Sequence, residues 1–189
     1  MKIAVIAWGS LVWNPRDLQI VGEWKKDGPL LPVEFARISQ DGRVTLVLLE
    51  DAEPQRTYWA MSALQDIEKA IVNLTKREGT TTPNIHGLDA NRKTYGKPEE
   101  SVVKAVTAWL NDHAHEVDGA VWTGLASNWQ SKRQRRFSPE DVVRYLERIH
   151  GETRQRAKEY FQKAPLQIRT KARQLVEERL GWKPETDQT

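Results

Sequence analysis

The 189-residue chain carries 29 Lys and Arg against 26 Asp and Glu, 39% hydrophobic residues and no cysteine. Such a length suits one sizeable core, and the lack of cysteine excludes disulfides, a thiolate nucleophile and cysteine-ligated zinc or iron–sulfur centres. No apolar run nears the roughly 20 residues of a membrane-crossing helix and the first residues lack a signal-peptide pattern, so we expect a cytoplasmic protein with no membrane partner.

In chain order, Ile3 to Ala7 is an unbroken apolar run, three of its residues β-branched, which predicts a strand buried on both faces. It stops at Trp8-Gly9-Ser10, a loop signal. Arg16 to Asp27 reads as polar and irregular, ending in the turn Asp27-Gly28-Pro29. Leu31 to Ser39 predicts a second strand, and Asp41-Gly42 a hairpin turn into Val44 to Glu50. Thr57 to Met61 is a short β-rich segment.

From Ser62, a plausible N-terminal cap, the spacing of Leu64, Ile67, Ala70, Ile71 and Leu74 predicts a helix to about Arg77, stopping near Gly79. Thr80 to Pro98 is broken by Pro83, Gly87, Gly96 and Pro98 and reads as a loop, either a pocket wall or a plain surface excursion. Glu99 to Val117 returns to helical spacing, and Ala120 to Leu125 reads as a last strand. Ser138-Pro139-Glu140-Asp141 opens a helix with a serine cap, proline at the first position and acids in the first turn. Helices over Thr153 to Lys163 and Leu166 to Leu180 follow, the last ended by Gly181.

Two strings carry chemistry. In the first, Trp8-Gly9-Ser10-Leu11-Val12-Trp13-Asn14-Pro15, glycine lets successive backbone N–H groups face one concavity that holds a negative oxygen. An ordinary tight turn is the plain alternative. The second, Leu74-Thr75-Lys76-Arg77-Glu78-Gly79, sets a carboxylate just before a glycine turn, where a solvated helix end is the plain alternative.

Together, and in this order, the strings resemble the γ-glutamylcyclotransferase superfamily, in particular the Gly-Ser-Leu-x-Trp-Asn-Pro loop of ChaC-type members and the Leu-Asp-x-x-Glu-Gly segment. Here Trp8 stands for the family's tyrosine and Thr75 for its aspartate. The resemblance spans roughly residues 3 to 125. It implies an α+β fold: a small mixed β-barrel with surrounding helices and a C-terminal helical extension, with residues 1–130 as the domain and 131–189 as the basic extension packed on it.

It also implies that a γ-glutamyl peptide or amine is cyclised to 5-oxoproline with release of the amine, and that Glu78 is the acid/base. Glu68 is the fallback. Trp8, Gly9, Ser10 and Leu11 would cradle the substrate and its oxyanion, with Trp8 and Trp13 shaping the pocket mouth. Arg37, on the second strand, is a weaker candidate for holding the substrate α-carboxylate, an outward-facing arginine being the plain alternative. No metal or cofactor is called for.

Other features carry less. His113 and His115, two apart on a helix, point to different faces, which is poor metal geometry and suits a solvated helix end. Ser10 has no nucleophile-elbow pattern around it. Charge is uneven: residues 1–130 hold 14 Lys and Arg against 17 Asp and Glu, whereas 131–180 hold 14 against 7. Lys132-Arg133-Gln134-Arg135-Arg136, between Trp129 and Phe137, has the composition of a phosphate-tracking, base-stacking patch. A solvated connection is favoured over it, because later arginines interleave with glutamates. The alternative to an enzyme is thus a non-catalytic binding module of the same fold, whose basic C-terminal third engages nucleic acid or an acidic partner.

Overall fold

The structure, a computed structural model, describes residues 1–185. It is α+β, with nine strands in two sheets and seven helices among the described residues; no closed barrel is found there. The chain divides into two compact units, each gathered from three segments: Met1–Ala7, Asn14–Leu31 and Arg56–Leu125 form the first, and Trp8–Trp13, Pro32–Gln55 and the chain from Ala126 form the second.

The first unit holds a six-stranded sheet around β1 (Ile3–Ala7), all five of whose residues are buried. β1 runs antiparallel to β6 (Tyr58–Ser62), with Ala4 opposite Met61, and parallel to β9 (Gly119–Thr123), with Ile3 opposite Gly119. A strand paired on both sides and covered on both faces has no polar position, hence the apolar run. β2 (Ile20–Lys25) lies outside β6, β7 (Ile85–Leu88) is antiparallel to β9, and β8 (Thr94–Tyr95) forms the far edge. α2 (Ile67–Glu78) buries Ile67, Ala70, Ile71 and Leu74 and packs on β7 and β9. Gly87 of β7 faces the δ-methyls of Ile67 and Ile71, which a Cβ there would meet at an ordinary contact distance of 3.5 Å. α3 (Glu100–Asp112) buries Val102, Val106, Trp109 and Leu110 against the same two strands.

Three sequence expectations change in this unit. The polar stretch 16–27 contains β2, an edge strand whose alternation is broken by Gly22 (φ 75°) and a register shift between Val21 and Lys25. The loop expected over 80–98 contains β7 and β8; β7 is short and interrupted by His86 and Gly87, so it lacks the look of a strand. α2 starts late because Ser62 ends β6, and Asp66 is the cap, its carboxylate accepting from Lys69 N–H (3.0 Å).

In the second unit β3 (Leu30–Ile38) lies between β4 (Val44–Leu48) and β5 (Pro54–Arg56), the β3–β4 hairpin turning at Gly42 (φ 81°). Around them stand α1 (Ser10–Trp13), α4 (Trp129–Arg133), α5 (Pro139–Arg148), α6 (Gly151–Lys163) and α7 (Lys171–Leu180). Phe35 of β3 stacks on Phe161 of α6 (3.9 Å, 10°), and α5 packs on α7. Arg173, 1% exposed, donates to the carbonyls of Pro165 (2.6 Å), Ile168 (2.9 Å) and Ala164 (2.8 Å) and so closes the α6–α7 connection. No described helix is long and apolar enough to cross a membrane.

Candidate active site

Glu78 is the last residue of α2, and the helix stops there because Gly79 takes a left-handed conformation (φ 60°, ψ 39°) that glycine adopts without a Cβ clash. Thr75, at the position of the expected aspartate, spends its hydroxyl on the Ile71 carbonyl (2.7 Å). The Glu78 side chain is 16% exposed and the Arg77 side chain beside it 5%. Arg77 Nη1 donates to Glu78 Oε1 at 2.7 Å, and Nη2 donates to the Asn14 carbonyl at 2.6 Å, tying the helix end to the segment after α1.

Burial pushes the Glu78 carboxyl above the usual carboxylate range; the charge and hydrogen bond of Arg77 and the charge of Arg16 pull it back only in part. Such a group accepts and returns a proton more readily near neutrality than an exposed glutamate does. Glu68 is exposed in the first turn of α2, where a carboxylate suits the helix N-terminus.

The other expected residues lie in the second unit. Trp8 is 5% exposed and donates its indole N–H to the Leu46 carbonyl (3.4 Å), so it is core. Ser10 and Leu11 open α1, ahead of its first bond, which Val12 N–H gives to the Gly9 carbonyl (3.0 Å). Leu11 is buried. Gly9 is needed for room: a Cβ there would lie 2.8 Å from the Tyr160 hydroxyl. Tyr160, from α6, meets Trp13 edge-on (5.2 Å) and accepts from Leu46 N–H (3.5 Å). Arg37 follows an irregularity in the β3–β4 register and donates to the Ala126 carbonyl (2.6 Å). No local pattern marked Tyr160 as the neighbour of Gly9, because the two are joined only by tertiary packing.

Other titratable groups have structural partners. Burial raises the Glu34 carboxyl, yet it accepts from Phe35 N–H (2.7 Å), Ala172 N–H (3.4 Å), Lys171 N–H and the Thr170 side chain. These fill the roughly four acceptor positions of a carboxylate, so Glu34 fastens the start of α7 to β3. His113 is not a solvated helix end: its ring stacks on Trp109 (4.6 Å), with Nδ1 2.9 Å from the Trp109 carbonyl and Nε2 3.4 Å from the Asp27 carboxylate. Asp141, 1% exposed, accepts from the Trp129 indole (3.0 Å), Arg133 (3.4 Å), Arg135 (3.3 Å) and Arg144 (3.4 Å). Arg133 and Arg135 of the basic run are thereby engaged within the fold. No cluster of three or more metal-ligating side chains occurs among the described residues.

Compared with known proteins, the chain matches no family model, no curated relative and no solved structure.

Proposed function

We propose that the chain is a γ-glutamylcyclotransferase-like enzyme that closes the γ-glutamyl group of a peptide or amine to 5-oxoproline and releases the amine. The observation that carries this reading is Glu78, a largely buried carboxylate at a glycine-ended helix terminus with its proton affinity raised. The substrate supplies its own nucleophile: the α-amine attacks the γ-carbonyl, a ring C–N bond forms and the original amide C–N bond breaks. Holding the chain folded supplies much of the advantage. Glu78 takes a proton from the attacking nitrogen and gives it to the departing one. The carbonyl oxygen becomes negative as the ring closes and needs hydrogen-bond donors beside it.

The superfamily's small mixed barrel belongs to the same reading, supported by the mixed pairing of β1 with β6 and β9; a cytoplasmic location goes with it. The binding-module alternative is less supported, because Asp141 holds Arg133 of the basic run inside the fold, although Arg135 and Arg144 beside it stay half-exposed. Steeply salt-dependent binding of RNA or DNA would reverse that ranking.

The test is 5-oxoproline release from glutathione, γ-glutamyl dipeptides and γ-glutamylamines by wild type and Glu78→Gln. Wild type releases it, and the variant loses about 100-fold or more with its melting transition in place. A fully active variant, or silence of well-folded wild type across the panel, removes the assignment.

A further inference from the structure

The second unit contains a cavity of about 560 Å³ between the β4–β5 connection, the α4–α5 connection and the start of α7. Neither Glu78 nor Arg37 nor any residue from Trp8 to Leu11 lines it, so it is independent of the reaction proposed above. That volume is in the range of sites for small organic molecules.

The deep polar groups are already used. Glu34 is saturated by backbone and Thr170 donors, the Gln55 amide donates to the Glu53 carbonyl (3.1 Å) and accepts from Arg169 N–H (2.8 Å), and the Trp129 indole N–H goes to Asp141. What remains accessible inside is apolar surface from the half-buried Leu49, Ala52, Phe137 and Pro139, with Phe137 edge-on to the fully buried Trp129 (5.7 Å, 84°). At the rim, Lys171 is paired with Glu53 (2.9 Å). Asp51, on the β4–β5 connection, and Arg136, on the α4–α5 connection, make no side-chain hydrogen bond or ion pair among the described residues. The mouth therefore offers one uncommitted carboxylate and one uncommitted guanidinium above an apolar interior.

We propose that this cavity binds a small zwitterion with an aromatic body, an aromatic amino acid or dipeptide, its ring against Phe137, its ammonium at Asp51 and its carboxylate at Arg136. A nucleotide fits the charges less well: its phosphate would suit Arg136 but bring negative charge to a lining that already holds Glu34, Asp51 and Glu53. A purely cationic ligand would leave Arg136 facing like charge.

The test is calorimetric titration of wild type, Asp51→Asn and Arg136→Gln with phenylalanine, Gly-Phe, N-acetyl-Gly-Phe, Gly-Phe-amide and AMP. Both side chains are exposed, so the variants keep the fold. Free Gly-Phe or phenylalanine binds wild type, and the tighter of the two identifies the body that fills the cavity. Acetylation and Asp51→Asn each weaken binding about three- to five-fold, the scale of a solvated ion pair, and together weaken it no further; amidation and Arg136→Gln behave likewise. Absence of binding by either zwitterion at millimolar concentration, losses that combine additively within a pair, or preference for AMP would overturn the proposal.

Discussion

At Gly9 the constraint is steric. A Cβ on Gly9 would lie 2.8 Å from the Tyr160 hydroxyl, closer than contact distance, and overpacking of a filled interior costs about 1–3 kcal/mol. Gly9→Ala is therefore expected to lower stability by about that amount. Removing the obstacle with Tyr160→Phe should recover much of the loss, giving a coupling of about 0.5–3 kcal/mol in a urea-denaturation double-mutant cycle. Additive effects would mean that Gly9 is required for something other than this contact. Glu78 differs in kind, since its environment alters an equilibrium rather than a shape: burial favours the protonated form and Arg77 the charged one.

Among the elements, those with local punctuation were legible in the sequence. α5 begins where Ser138-Pro139 predicted, the serine hydroxyl accepting from Asp141 N–H (3.2 Å); α7 ends at Gly181, in a left-handed conformation. Caps are short-range chemistry and can be read from a few residues. β2 was hidden because an exposed edge strand has no apolar face to alternate, and α4 because one helical turn is too short to show a period. At the site, the strings around Gly9 and Glu78 stood out, while the roles of Arg77, Tyr160 and Asp141 depend on partners distant in sequence. Asp141 read as an ordinary first-turn acid, yet it joins α4 to α5 through Trp129 and Arg133. Asp141→Ala strands these donors and should cost about 3 kcal/mol, the usual penalty for unpairing a buried charge; Arg135 and Arg144 are half-exposed and add little. An unchanged chemical-denaturation midpoint would show that the arginines find other partners.

For the whole molecule, acid response is set by groups pulled in opposite directions. His86 is 9% exposed, and burial lowers its pKa below the ordinary 6.5 while the charge of Glu99 partly restores it. The unfolded chain therefore binds that proton first, and the stability contributed is complete above pH 6.5 and declines as pH falls from there toward the folded value. Glu34 and Glu78, with raised values, have the reverse slope: their contribution is full below about 4.5 and is lost as pH rises through the folded values. His86→Gln isolates the first effect. Its stability relative to wild type should rise as pH drops from 7.5 to 5.5, by at most about 1.4 kcal/mol per pH unit, measured by urea unfolding; parallel curves would remove His86 as the titrating group.

The interleaving of the two units also bears on how the chain emerges from the ribosome. β1 is made first but its parallel neighbour β9 is not made until Gly119, and β3 waits for Phe161 of α6 to cover Phe35. At about 5–20 residues per second, each strand waits roughly 6–25 s of synthesis for that partner. During that interval part of each strand's apolar surface lacks its final cover, and neither unit can be completed by the N-terminal half of the chain alone.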